Sequence, residues 1–278
     1  MNSEPITSEP ITFEPARSES SPASSLHPRR IVIGDVHGHY GGLMELLNQV
    51  APGEQDQVYF LGDLIDRGPD SAQVVEFVKN SPYHCIMGNH EQMMLMALPE
   101  EGHNHQAWDA WLYSGCDKTV DSYRTEGIIP REHLRWMRKL KPYLDLGDVW
   151  LVHAGMRPDR PVTEQTEAEM CWIRREFHNI SKPFFADKLI IIGHTITFTF
   201  DGIDPGSLVR GQGWLDIDTG AYHAKSGWLT ALDLTNRWVH QVNVLRPESR
   251  SLSLEEATDQ FQPPQPPPRR AWWSPIKL

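Results

Sequence analysis

No apolar run in this chain comes near the roughly 18 residues that a membrane-crossing helix needs. Its first residues, MNSEPITSEP, lack both the basic start and the apolar stretch of a secretory leader. Cysteine is scarce. Cys85, Cys116 and Cys171 are the only three, with no CxxC spacing, which argues against a disulfide framework and points to reduced thiols, packed as small hydrophobes, in a cytoplasmic protein. Positive charge is short too. The 26 Lys and Arg against 37 Asp and Glu leave a net charge of −11, so neither a nonspecific nucleic-acid binder nor a basic membrane-surface protein fits.

What is present divides the chain into three. Residues 1–28 are poor in aromatics and rich in Ser, Glu and Pro, with SEPIT twice in tandem. Such a segment buries too little surface to offset its ordering entropy, and a disordered tail is expected. Residues 29–246 alternate short apolar runs with helical patterns. IVI, VYFL, CIM, VWLV and LIII read as buried strands, and Leu43, Leu46, Leu47 and Val50 fall at helical spacing. That alternation predicts parallel strands with crossover helices. Residues 99–141 break it with a polar, tryptophan-bearing helical insert. From Ser207 onward, short strands predict antiparallel structure. Residues 247–278 read as a proline-rich tail, in which Pro264, Pro267 and Arg269 have the PxxPxR spacing of a weak SH3-type contact.

The polar residues that matter sit where the apolar runs stop. They are Asp35 and His37 in GDVHG, Asp63, Asp66 and Arg67 in GDLIDRG, Asn89 and His90 in GNHE, His153 in HAG, and His194 in GHT. Ligand sites of parallel sheets form at the carboxyl ends of strands, so these five loops should converge. Carboxylate, amide and imidazole donors without thiolate select divalent ions such as Mn, Fe or Zn. A carboxylate such as Asp63 can bridge two ions, and a water shared by the pair becomes a nucleophile near neutral pH. Arg67 suits the oxygens of a phosphoryl group. His90 can hand a proton to the leaving oxygen, with Asp66 fixing its tautomer. Nothing resembles a nucleophilic serine or cysteine arrangement.

Taken together, GDVHG, GDLIDRG, GNHE, HAG and GHT resemble the PPP-type metallophosphoesterases, the family of protein serine/threonine phosphatases and their short bacterial and phage relatives. The likeness spans about residues 30–245. It implies an α/β, calcineurin-like fold, a central mixed β-sandwich flanked by helices, here with a helical insert. It also implies two divalent ions, manganese first among the choices. Asp35 and His37 would hold one ion, Asn89, His153 and His194 the other, and Asp63 would bridge. His90 would be the general acid oriented by Asp66, and Arg67 would hold phosphate. A second phosphate-binding arginine is expected in MCWIRREF, where the spacing from Trp172 selects Arg174 and leaves Arg175 as the alternative. The segment IDTGAYHAKSGWLTALDL resembles the short bacterial type. His223 within it, and His39, His103 and His105, read as surface or supporting groups.

The expected activity is a metal-dependent phosphatase of phosphoserine and phosphothreonine, with phosphotyrosine or a small phosphoester also accepted. The alternative is a symmetrical bis(5'-nucleosyl)-tetraphosphate hydrolase. A phosphoprotein-binding scaffold without turnover is the remaining reading, and the intact His90, Asp66 and Arg67 argue against it. The aromatics of the insert could stack a base, but most should pack its own core.

Overall fold

The computed structural model describes residues 28–102, 104–124 and 129–263. The SEPIT repeat, the PxxPxR segment with Trp272 and Trp273, and His103 lie outside them. The chain runs β1 (Arg30–Ile33), α1 (Tyr40–Val50), β2 (Gln57–Phe60), α2 (Ser71–Asn80), β3 (His84–Cys85) and α3 (Asn89–Ala97). The insert follows as α4 (His105–Tyr113), α5 (Asp117–Ser122) and α6 (Arg131–Met137). Then come β4 (Tyr143–Asp145), β5 (Val149–Val152), α7 (Glu167–Trp172), α8 (Arg175–His178) and β6 (Leu189–Ile192). The chain continues with β7 (Leu208–Arg210), β8 (Trp214–Asp216), β9 (Trp228–Asp233), β10 (Trp238–Asn243), β11 (Glu248–Ser253) and β12 (Thr258–Gln260).

Two six-stranded sheets result, in the orders β11-β10-β9-β1-β2-β3 and β12-β7-β8-β6-β5-β4. The parallel pairs are those with a crossover between them: β1 with β2, β2 with β3, β5 with β6, β6 with β8 and, against the antiparallel structure expected after Ser207, β7 with β12. The late strands pair as antiparallel hairpins, β9 with β10 and β10 with β11. Alternation along each strand divides the apolar residues between layers. Val32 and Leu232 face Leu151, Ile191 and Leu215 between the sheets. Ile31, Ile33 and Phe60 face outward onto Leu43, Leu46, Val74 and Val75 of α1 and α2. A third cluster, with Trp150, Phe177, Ile190 and Trp214, covers the far side of the second sheet. Trp111 and Tyr123 of the insert are buried in the helical layer, so these two rings pack rather than receive a ligand.

The folded unit runs past residue 246, where the change in composition sets the boundary of the tail. ESRSLS carries no apolar alternation, yet β11 pairs with β10 from Asn243↔Glu248 to Trp238↔Ser253. The turn after β11 buries Leu254 and Ala257 between the sheets, and β12 then adds to β7 in the other sheet. Backbone pairing and two small apolar anchors hold this segment, and neither leaves a periodic signature. Ending the chain at residue 246 is therefore expected to lower stability by at least about 3 kcal/mol, the loss of a buried leucine plus a strand's cover. Urea unfolding of the truncated and intact chains measures it; equal midpoints would return residues 247–263 to the tail.

Candidate metal centre

The strand ends that carry the motifs come three from each sheet. Asp35 and His37 follow β1, Asp63 follows β2, and Asn89 follows β3; His153 follows β5 and His194 follows β6. All six side chains are buried. Asp218, after β8, completes the second sheet's contribution. The loops are tied to one another by main-chain hydrogen bonds: Val36 and His37 N–H donate to the Asp63 carbonyl, and Gly193 N–H to the His153 carbonyl. Seven described residues other than glycine have left-handed φ, and five are His37, Asp63, Asp66, Arg67 and His194. Backbone strain of this kind concentrates where side chains must be aimed at a common point.

Asp63 is that point. Its carboxylate oxygens lie 3.7 Å from His37 Nε2 and 3.4 Å from His153 Nε2. Two sets of donor atoms, each within 4.8 Å of one another, share it: His37, Asp63 and His90, and Asp63, His153 and His194. His37 Nδ1–H donates to the Ile65 carbonyl at 2.9 Å, and His153 Nδ1–H to the Leu61 carbonyl at 2.7 Å. Both rings therefore turn Nε2 inward toward Asp63, the orientation that metal-ligating histidines show. Asn89 Oδ1 sits 2.9 Å from His153 Nε2 and 2.8 Å from His194 Nδ1.

These residues fit a pair of cations on three further grounds. Among the described residues, Asp35 Oδ1 is buried without a hydrogen-bond partner, while Oδ2 accepts the His194 N–H at 3.1 Å. Burial, then Asp218 and Asp63, push the Asp35 carboxyl well above its ordinary range, and burial chiefly pushes Asp218 up to about 6; carboxylates so crowded call for positive charge. Burial and the neighbouring His90 hold the His37 imidazole well below its usual value, and burial and His153 do the same to His194, leaving both neutral and able to ligate. Burial alone would raise Asp63, but its neighbours, His153 first and then His90, outweigh it and hold the carboxyl well below its ordinary range. A Cβ at Gly88 or Gly193 would overlap the carboxylate of Asp63 or Asp35, so both glycines are required by close approach.

Beside this cage lies a cavity of about 210 Å³, lined among others by Arg67, His90, Arg174, Asp218 and Tyr222. His90 Nδ1 is 2.6 Å from Asp66 Oδ2, and its Nε2 meets Arg67 Nη2 at 3.1 Å. Arg67 is sandwiched by the Tyr222 ring, 4.0 Å from its guanidinium carbon. Arg174 donates to Thr195 Oγ1 at 2.8 Å and the His194 carbonyl at 3.2 Å. Arg175 instead opens α8. The structure thus puts Arg174, the residue selected by the tryptophan spacing, on the cavity wall. His223 packs against Phe198, and its neighbour Tyr222 takes the place at the cavity. His39 is half-buried next to α1, and His105 is exposed.

Several working residues carry no signal of their own in the sequence. Glu91 accepts the N–H groups of Asp63, Leu64 and Gly88 at 2.8, 2.8 and 3.1 Å, and burial followed by Asp63 raises it to about 7. The insert supplies the rest. Trp111 Nε1–H donates to Asp66 Oδ2 at 2.8 Å, and Thr119 Oγ1–H to Asp66 Oδ1 at 2.6 Å. The Asp66 N–H returns to Thr119 Oγ1 at 2.8 Å, and the Arg67 N–H donates to the Gly115 carbonyl at 3.1 Å. The insert therefore holds Asp66 and Arg67 in place.

A model of the calcineurin-like phosphoesterases matches residues 28–235. The chain is 32% identical over 174 residues to the symmetrical bis(5'-nucleosyl)-tetraphosphatase of Pectobacterium carotovorum, covering 57% of this chain and 54% of that protein. A second such enzyme, from Nitrosospira multiformis, is 28% identical over 168 residues. The chain spans about half the length of the curated relatives it matches. Among solved structures, a candidate diadenosine tetraphosphatase superposes with a TM-score of 0.54 at 19% identity, over 82% of this chain and 94% of that one. A cold-active protein tyrosine phosphatase superposes at 0.51 and 19%, over 81% and 78%. At such identity these two likenesses establish the fold.

Two outcomes are expected from this geometry. Asp63→Asn should at least halve the manganese bound per chain, since both donor sets lose their common member; elemental analysis showing full occupancy would remove Asp63 from the bridge. Thr119→Val should cost about 1–3 kcal/mol, the range for a buried polar group left unpaired, and Thr119→Ser much less, read from urea midpoints at constant m.

Proposed function

The chain belongs to the calcineurin-like phosphoesterases, and from that membership we propose that it is a dinuclear metal-dependent hydrolase that cleaves dinucleoside tetraphosphates symmetrically. The observation that carries the hydrolase reading is the shared position of Asp63 between two buried donor sets, next to a cavity with two arginines and a buttressed histidine. The substrate follows from the curated relatives, whose printed activity is on bis(5'-nucleosyl) tetraphosphates. They favour that reading over the phosphoprotein phosphatase expected first from the motifs.

Two divalent ions, held by Asp35, His37, Asp63, Asn89, His153 and His194, would supply Lewis-acid stabilisation and an activated water. The chain's own residues do the rest. Arg67 and Arg174 face one cavity and hold the non-bridging oxygens of the phosphoryl group under attack, where charge accumulates. The Tyr222 ring against the guanidinium and the Ser114 carbonyl, which accepts from Arg67 Nε at 3.5 Å, keep Arg67 from swinging out. His90 passes a proton to the departing oxygen. The proton leaves Nε2 of the imidazolium form and the ring is left as the Nδ1–H tautomer. Asp66 accepts the Nδ1–H throughout, which turns Nε2 to the cavity, and the Trp111 and Thr119 donors fix Asp66 in turn. Attack at the middle of a tetraphosphate consumes one water and releases two nucleoside diphosphates.

A phosphomonoesterase acting on phosphoserine and phosphothreonine is the other reading. The cavity supports it, because about 210 Å³ accommodates a phosphoryl group and leaves any leaving group outside. Manganese-loaded protein offered diadenosine tetraphosphate, a phosphoserine peptide and p-nitrophenyl phosphate separates the two. Faster release of ADP is expected. Faster dephosphorylation of the peptide would reverse the order, and no turnover of any substrate would leave a binding scaffold. His90→Asn should lower kcat by about two to four orders of magnitude on a phosphoserine peptide, whose alkoxide leaving group needs the proton. The loss should be smaller on the tetraphosphate, whose leaving nucleoside diphosphate is a far weaker base than an alkoxide. Loss of bound metal in this variant would instead make His90 a ligand.

A further inference from the structure

A cavity sized for a phosphoryl group must leave the nucleoside part of a substrate on its rim. The rim is not uniformly polar. Trp172, the last residue of α7, is 45% exposed, whereas Trp111, Trp150 and Trp214 are at most 4% exposed. Its ring stands edge-on to the His194 imidazole, centroids 6.2 Å apart, and His194 lines the cavity together with Arg174, two residues further on. The indole is pinned. Its Nε1–H donates to Gln92 Oε1 at 2.9 Å, and the Gln92 amide donates to Glu167 Oε1, also at 2.9 Å. Gln92 lies on α3, one turn beyond Asn89, and Glu167 opens α7. The hydrogen bonds fix the ring's polar edge and leave apolar surface open to water, at a cost that a stacked partner would remove.

The geometry points to Trp172 as a nucleobase subsite: a flat, pre-oriented platform on which the base of a nucleoside polyphosphate stacks while its phosphates enter the arginine-lined cavity. This rests on the dinucleotide reading proposed above and gives it a specificity element. Within the insert Trp111 and Tyr123 are buried and cannot take the role, and Tyr113, though 96% exposed, makes no ring contact with a cavity residue among the described residues, as Trp172 does with His194. Stacking is tolerant of base identity, because every base presents a π-face, so adenine and guanine nucleotides should be accepted alike. Gln92 acts through Trp172 as a positioning residue.

The test is binding of ADP and of inorganic phosphate to the manganese-loaded full chain, by calorimetry. Trp172→Leu should weaken ADP by about five- to a hundredfold, the range for one lost base stack, with the Kd of phosphate unchanged. Trp172→Phe should restore most of the loss, and Gln92→Leu, which frees the ring without removing it, should give a smaller weakening. Equal weakening of ADP and phosphate, or no weakening of ADP, overturns the subsite. The parent reading fails separately. If diadenosine tetraphosphate is not hydrolysed while the phosphoserine peptide is, the dinucleotide assignment falls; if it is hydrolysed and Trp172→Leu binds ADP normally, only the platform falls.

Discussion

Burying carboxylates beside one another is the constraint from which this architecture follows. Asp35, Asp63 and Asp218 approach from three strands with almost no access to water, and each raises the cost of ionising another. Three devices make the cluster tolerable. Imidazoles surround Asp63, main-chain N–H groups reach Asp35 Oδ2 and Asp218 Oδ1, and the donor geometry suits cations. The strained backbone of His37, Asp63 and His194 is the conformational cost of aiming those groups at one place. It persists because the strands on either side are fixed by three apolar clusters.

The site also explains why both sheets are needed. One sheet delivers Asp35, His37, Asp63 and Asn89, the other His153, His194 and Asp218. The apolar layer between them sets the distance from His153 Nε2 to Asp63, 3.4 Å. A substitution in that layer, far from any phosphate, would act by changing the separation of the two halves. The helical layer makes a comparable contribution on the outside. Its Trp111 and Thr119 reach inward to Asp66, so the insert that looks like an addition to the fold is joined to the group that orients His90.

How legible this was in the chain depended on the kind of signal. Strands β1, β2 and β6 are short apolar runs soon closed by glycine, and β5 is one closed by His153 itself; the residues after them are histidine and aspartate in spacings that have few structural uses. Their convergence could be read before any coordinates. Thr119, Trp111 and Glu91 could not be read in the same way. Their side chains are ordinary, and their roles arise only when α5 and α4 are laid against the loop after β2. Asp218 was hidden for a different reason: β8 is antiparallel to β7, as the late strands were expected to be, but on its other side runs parallel to β6 and so ends where β6 ends. The strand Glu248–Ser253 was obscured by composition, since an edge strand covered on one face needs few apolar residues.

The link from β11 to β12 has an effect on the order of assembly. Within four residues the chain leaves the edge of one sheet, places Leu254 and Ala257 between the leaves, and joins the edge of the other. It is a clasp, and it is the last part of the described fold to leave the ribosome. Until it emerges, the two leaves can form but are not fastened at that edge, and β10 and β7 each keep a side open to strand addition from another chain. The nascent protein is thus most exposed to mispairing in the interval just before this clasp emerges.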